Sequence, residues 1–300
     1  MTPVEYWRTK QAKHESKMAK NTQPTREGLI FLHIWKAGGS TLNDIIERQY
    51  AGEGIFTTNG ARYEESMAEF QNLPPTERAA FRVLKGHMYF GMHKYFPRPC
   101  RYITMLRDPI SRVISDYYYI WETPHHNFYD FVVNQEKMSL QAFVSREDSP
   151  LYDNIQTRLL SGVAWQVKFG EAKPDMLALA KENIDKHFAV VGFTERFDET
   201  LILCQLAFDW KMPFYTKRNV TKKKTGSSHI DAETLEVIRQ YNALDIELYE
   251  YAQKRFEKQI QSYGDRFWQQ LKRFQFYNQI YKPYSFYRRA IRKLNTLVRG

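Results

Sequence analysis

FLHIWKAGGSTL, residues 31 to 42, reads as a buried strand that runs into a two-glycine loop and then into a helix. Phe31, Leu32 and Ile34 favour a strand, Gly38 and Gly39 break the pattern, and Ser40 and Thr41 are of the types that cap a helix start. Consecutive glycines let backbone N–H groups turn toward one point, and the positive end of the next helix dipole adds to them. Lys36 brings a full charge to the same place. The stretch reads as an anion cradle built from Lys36, Ala37, Gly38, Gly39, Ser40 and Thr41. Which anion it holds is decided outside it.

Outward from the cradle, the pattern predicts strands at 29–34, 81–86, 100–109 and 188–193. Helices are expected at 40–50, at 63–80 with a break at Pro74-Pro75, from Pro109 behind the N-cap Asp108, and at 138–146, 151–161, 174–187 and 195–210. The helix after Asp108 shows an apolar face of Ile110, Val113, Ile114, Tyr117 and Trp121. Asp231 is expected to cap one long helix reaching about residue 262. Near-continuous apolar strands alternating with helices imply an α/β fold with a mainly parallel sheet covered on both faces. Ligands of such sheets collect beyond the carboxyl ends of the strands, so the loops at 35–39, 86–93 and 107–109 are expected to share one edge. The organisation predicted is an N-terminal polar arm (1–27), a domain (28–262) and a basic, aromatic, helical C-terminal extension (263–300).

Composition narrows the partners. The chain has 300 residues, 43% hydrophobic content and a formal charge of +10. Nine basic and no acidic residues fall between Arg266 and Gly300, so residues 1–265 carry only about +1. The basic character belongs to the tail, which speaks against the whole protein as a nucleic-acid binder, and no nucleic acid is expected as a partner. Cys100 and Cys204 make neither a disulfide framework nor a metal site, the eight histidines show no ligand spacing, and no metal is predicted. The N-terminus lacks the apolar region of a secretory signal. A cytoplasmic protein, peripheral to the inner face of a membrane, is the expectation.

The cradle departs from GxxxxGK[ST], because Lys36 precedes the glycines instead of following them. HIWKAGGST resembles the 5′-phosphosulfate loop of sulfotransferases that use PAPS, 3′-phosphoadenosine 5′-phosphosulfate. TMLRDPISRVISDYYY, residues 104 to 119, resembles the 3′-phosphate-binding strand and helix of the same enzymes, with Arg107 at the strand end and Ser115 eight residues on. Ser111 and Ser115 share one face of that helix near its positive end, and an arginine fork with hydroxyls suits a dianion. GHMYFGMHKYFPRPCRYITMLRDP, DNIQTRLLSG, VGFTERFDETLIL and ALDIELYEYAQKRF extend the likeness over 28–262. The branch they resemble is the bacterial one of the carbohydrate sulfotransferase family that includes heparan and uronosyl 2-O-sulfotransferases. Trp35 and Ala37 depart from the Pro and Thr usual there, and the missing hydroxyl at 37 should weaken one anion contact.

What the resemblance implies is a P-loop-like sulfotransferase fold, PAPS as donor, PAP as product, and a carbohydrate hydroxyl as acceptor, attacked in line without a metal. Lys36 is then the residue that neutralises the leaving oxygen. His87, after a strand and a glycine, is placed as the base, since neutral imidazole takes a proton at pH 7. His93 is its rival, or an acceptor-site or packing residue. His33 reads as a core histidine, and His125 and His126 as solvated. Lys85 stands where relatives carry a second histidine. Lys222, Lys223 and Lys224, in NVTKKKTGSSHI, are expected to close over the nucleotide, or else to be a solvated charge run. Arg158 meets an acidic acceptor, or pairs with Asp153 or with Glu residues nearby. The basic tail suits an anionic membrane or polysaccharide surface, or packs by its aromatic residues. A kinase-like nucleotide-binding protein and a non-enzymatic polyanion or nucleic-acid binder are the alternatives.

Overall fold

A computed structural model of the chain describes residues 27–146, 152–216 and 230–298. Five parallel strands form one sheet in the order β2-β3-β1-β4-β5: β1 (Gly28–Leu32), β2 (Gly54–Thr57), β3 (Phe81–Gly86), β4 (Cys100–Leu106) and β5 (Phe188–Phe193). β1 is buried along its whole length, pairing Leu32 with Gly86 of β3 and with Thr104 of β4. From β1 the chain runs to the edge strand β2, returns to β3 beside β1, and then crosses to β4 on the other side of β1. This reversal opens a crevice beyond the carboxyl end of β1, where open α/β sheets take ligands.

Helices cover both faces, as parallel pairing of apolar strands requires. They are α1 (Gly39–Gln49), α2 (Tyr63–Asn72), α3 (Pro75–Arg78), α4 (Pro109–Trp121), α5 (Leu140–Val144), α6 (Ile155–Ser161), α7 (Pro174–His187), α8 (Phe197–Phe208), α9 (Ala232–Tyr241), α10 (Ala243–Tyr263) and α11 (Asp265–Val298). The main core joins the sheet to α1, α6, α7, α8, α10 and the start of α11. A smaller core forms where Val113, Ile114, Tyr117 and Ile120 of α4 meet Val132, Phe143, Tyr152 and Ile238.

Several boundaries differ from expectation. β1 ends at Leu32, not 34, because the backbone at Lys36 is left-handed (φ 59°) and the chain must turn before it. β2, absent from the sequence reading, is a four-residue, half-exposed edge strand too short to show periodicity. Asp231 does cap a helix, accepting from the Thr234 N–H at 2.7 Å, but that helix breaks at Asn242. The Asn242 amide donates to the Ile238 carbonyl at 2.9 Å and competes with the helical ladder. The expected boundary at 262/263 falls at the α10–α11 junction, yet Phe267, Leu271 and Phe274 of α11 are buried in the main core.

Candidate active site

The cradle forms where β1 gives way to α1. Gly38 (φ 76°) occupies the N-cap position, so Ser40 and Thr41, expected as caps, lie inside the first turn and make no capping bond. First-turn amides lack partners within a helix, and here they stand in the wall of the cleft. Ala37 is the exception within the expected cradle. It is buried, its N–H donates to the Ile34 carbonyl (3.4 Å), and it does not line the cleft.

The cleft has a volume of about 890 Å³. Lys36, Gly38, Gly39, Ser40, Thr41, His87, Arg107 and Ser115 all line it, brought together from the ends of β1, β3 and β4 and from α1 and α4. Arg107 donates to the Lys36 carbonyl at 3.1 Å and so holds the strained Lys36 backbone. Arg107 is itself bracketed: its N–H donates to the Gln156 side chain at 3.1 Å and its carbonyl accepts from the Gln156 amide at 3.0 Å. Gln156 sits in the first turn of α6, whose free N–H groups are taken by the buried carboxylate of Asp245, at 3.1 Å from residue 156 and 2.7 Å from Thr157. The Lys36 ammonium lies 3.5 Å from the centre of the Tyr119 ring. Burial pulls its pKa down to about 8, against the pull of Asp116 in the other direction.

His87 is held between two rings, with Trp35 at 4.7 Å and 16° and His33 at 4.4 Å and 27°. Its Nδ1 lies 2.7 Å from the His33 carbonyl. A carbonyl only accepts, so Nδ1 carries the proton in neutral His87 and Nε2 keeps the lone pair. Burial lowers the His87 pKa from its ordinary value, which keeps the ring neutral at pH 7. His33, expected in the core, is instead a half-buried residue of the cleft wall, and burial and the neighbouring His87 and Lys85 hold its pKa well below normal. Lys85 turns away, to Glu47 at 2.9 Å.

Two expected acceptor residues stand elsewhere. Arg158 is fully buried, paired with Asp153 and donating to the carbonyls of Ala164 (3.0 Å) and Lys168 (2.8 Å), so it cannot meet an acceptor. His93 lies outside the cleft, against the Tyr102 hydroxyl (3.1 Å) and the His187 ring (4.4 Å), with burial pulling its pKa down to about 4. Lys222, Lys223 and Lys224 lie outside the described residues. The sequence reading passed over Trp35 and Tyr119 as site residues. Tyr119 was within reach of it, one helical turn beyond Ser115.

The acidic groups that line the cleft are already engaged. Glu195 accepts from the Asp108 N–H (3.2 Å) and the Tyr249 hydroxyl (3.1 Å), Asp198 from the Tyr215 hydroxyl (2.7 Å), and Glu199 pairs with Arg196 (2.6 Å). The first-turn amides, Lys36, Arg107 and Ser115 are thus left to face an anion. A doubly wound parallel sheet with such a cleft at its reversal point defines a P-loop-like, anion-binding α/β protein.

The chain belongs to the galactose-3-O-sulfotransferase family, whose model matches residues 5–275. It is 28% identical over 193 residues to heparan-sulfate 6-O-sulfotransferase 1 of Homo sapiens, covering 55% of this chain and 45% of that protein. It is 29% identical over 274 residues to heparan-sulfate 6-O-sulfotransferase 3-B of Danio rerio, covering 78% and 64%. Galactose-3-O-sulfotransferase 2 of Mus musculus is 24% identical over 270 residues, covering 80% and 64%. The chain therefore spans about half to two thirds of the length of these curated relatives.

Proposed function

We propose that this protein transfers a sulfuryl group from PAPS to a hydroxyl of a carbohydrate, with His87 as base and Lys36 as the group that neutralises the leaving oxygen. The observation that carries the reading is the His87 Nδ1 contact with the His33 carbonyl, which leaves Nε2 as the basic nitrogen of a histidine that lines the same cleft as Lys36. Family membership supports the choice of reaction, and the names of the relatives support a carbohydrate acceptor.

The free donors of the cleft fit a nucleotide with phosphate at both ends. The α1 amides and Lys36 suit the 5′ end, Arg107 and Ser115 the 3′-phosphate. PAPS supplies the sulfuryl group when bound. A sulfur–oxygen bond to the acceptor forms as the one to the 5′-phosphate breaks, and the acceptor proton passes to His87 Nε2. Lys36 stabilises the charge that develops on the departing oxygen.

The test is calorimetric titration with PAP, using ATP and ADP as controls and Arg107→Ala beside the wild type. Binding that depends on the 3′-phosphate and weakens at least about tenfold in the variant supports the reading. Equal binding of ATP would favour a kinase-like protein and sink it. For the tail, the nine cations after residue 265 and the exposed Trp268, Phe276, Tyr277 and Ile280 of α11 support contact with an anionic surface. Co-sedimentation with phosphatidylserine vesicles, wild type against residues 1–282 carrying Trp268→Ser, Phe276→Ser, Tyr277→Ser and Ile280→Ser, checks it, and equal binding would reject it.

A further inference from the structure

His33 stands just after β1, with its ring in the cleft wall and one edge along α1. Gly39, Asn43 and Glu47 are spaced four apart and share one face of that helix. Lys85 of β3 is buried and reaches the same face, its ammonium 2.9 Å from the Glu47 carboxylate and 3.5 Å from Asn43 Oδ1. An ammonium only donates, so the amide oxygen of Asn43 faces Lys85 and its NH₂ group is left for His33. That nitrogen lies 3.4 Å from His33 Nδ1. It too only donates, so Nδ1 accepts, and neutral His33 carries its proton on Nε2.

The Nε2 edge lies against Gly39, where a Cβ would overlap both Nε2 and Cδ2. Gly39 opens α1, and the free amides of that first turn stand in the cleft wall. Nε2 itself makes no hydrogen bond among the described residues. Phe31, His33, His87 and Trp35 form a column of stacked rings that fixes the plane of His33. Trp35, the last of them, also borders a second cavity of about 460 Å³.

The two stacked histidines therefore hold their protons on opposite nitrogens. His87 gives its Nδ1–H to the His33 carbonyl and keeps a lone pair on Nε2, whereas His33 accepts at Nδ1 and keeps a proton on Nε2. One suits taking a proton, the other giving a hydrogen bond. Burial, then the neighbouring His87 and Lys85, hold the His33 pKa well below normal, and the nearby carboxylate, Glu47, is engaged by Lys85. We propose that His33 is a further catalytic residue of the donor site, whose Nε2–H gives a hydrogen bond to the 5′-phosphate end of the bound nucleotide, beside the α1 amides. Its proton stays on Nε2, and the bond strengthens as charge gathers on the 5′-phosphate. Asn43 and Lys85 are positioning residues that hold the ring in this tautomer. The assignment rests on the sulfotransfer reading above.

Long-range nitrogen–proton NMR of protein labelled in its histidines tests it. His33→Phe, which keeps the column of rings, identifies the His33 signals by their loss. At pH 7 Nε2 is expected to be protonated and Nδ1 bare, and PAP to shift the Nε2 signal where 3′-AMP, which lacks the 5′-phosphate, does not. In calorimetry His33→Phe weakens PAP at least about tenfold and 3′-AMP less than about twofold. Asn43→Leu leaves the imidazole in place and lowers the protonated fraction at Nε2. A proton on Nδ1, an Nε2 signal that PAP leaves unmoved, or equal weakening of PAP and 3′-AMP overturns the proposal, and an unchanged tautomer in Asn43→Leu overturns the positioning role. If the wild type binds no PAP, the sulfotransfer reading fails instead, and the same Nε2 signal titrated with pyrophosphate decides whether His33 serves the anion cradle.

Discussion

At the scale of single residues, the His33–His87 pair sets the pH behaviour. Burial lowers the pKa of both rings, and each is stacked on the other, so both are neutral at pH 7. With His87 as the proposed base, its protonation lowers kcat/KM on the acid side, with a midpoint below the usual histidine value near 6.5. Lys36 loses its charge above about 8 in the free protein, so kcat/KM falls again as pH rises past that value. A bell with limbs of that sense is the expected profile. Trp35→Ala uncovers one face of His87, which relieves its desolvation and moves the acid limb to higher pH. An unmoved limb would separate Trp35 from the base. His87→Ala should lower kcat by about 10² to 10⁴ while PAP binding persists, and Lys36→Ala by about 10² to 10³.

Elements carry the positions of these groups. A Cβ on Gly39 would overlap the His33 ring, so Gly39→Ala displaces either α1 or the His33–His87 stack. It should weaken PAP binding and disturb the acid limb together, whereas damage to the anion cradle alone would leave the limb in place. Arg158 ties α6 to the carbonyls of residues 164–168, and Arg158→Ala leaves Asp153 as a buried, uncompensated carboxylate. A loss of about 3–5 kcal/mol in denaturant unfolding is expected. The β1–loop–α1 unit was legible in sequence because glycines and period-two apolarity are local signals. The place of Arg158 was not: DNIQTRLLSG allows a functional or a structural arginine, and only the fold of 164–168 back over it decides. The stack on His87 was equally hidden, since it needs the loop after β3 to cross the loop after β1.

For the whole molecule, a mainly parallel sheet covered by helices was implied by the alternation of strands and helices, though not its strand order, and the strand-end residues Lys36, His87 and Arg107 gather where such a sheet reverses. The role of α11 was less readable. Its charge pattern describes a surface segment, but Phe267, Leu271 and Phe274 belong to the core, and Leu271 and Gln275 line the cleft. Truncation at residue 264 therefore removes three buried side chains, each about 1.5–3 kcal/mol of apolar burial, and should lower Tm by several degrees or prevent folding. Truncation at 282 should leave Tm and PAP binding near wild type. Equal melting of the two would mean that α11 adds nothing to the core.

Trp35 also makes the site visible to light. Among the described residues it alone of the tryptophans stacks on His87 and borders both cavities, and the chain has six in all. A protonated imidazole quenches indole emission, so a chain whose other five tryptophans are replaced by phenylalanine would report the charge state of the base directly as fluorescence. The same signal would register a ligand arriving in the cleft on either side of the ring, and its entry could be timed in a stopped-flow mixer without any turnover.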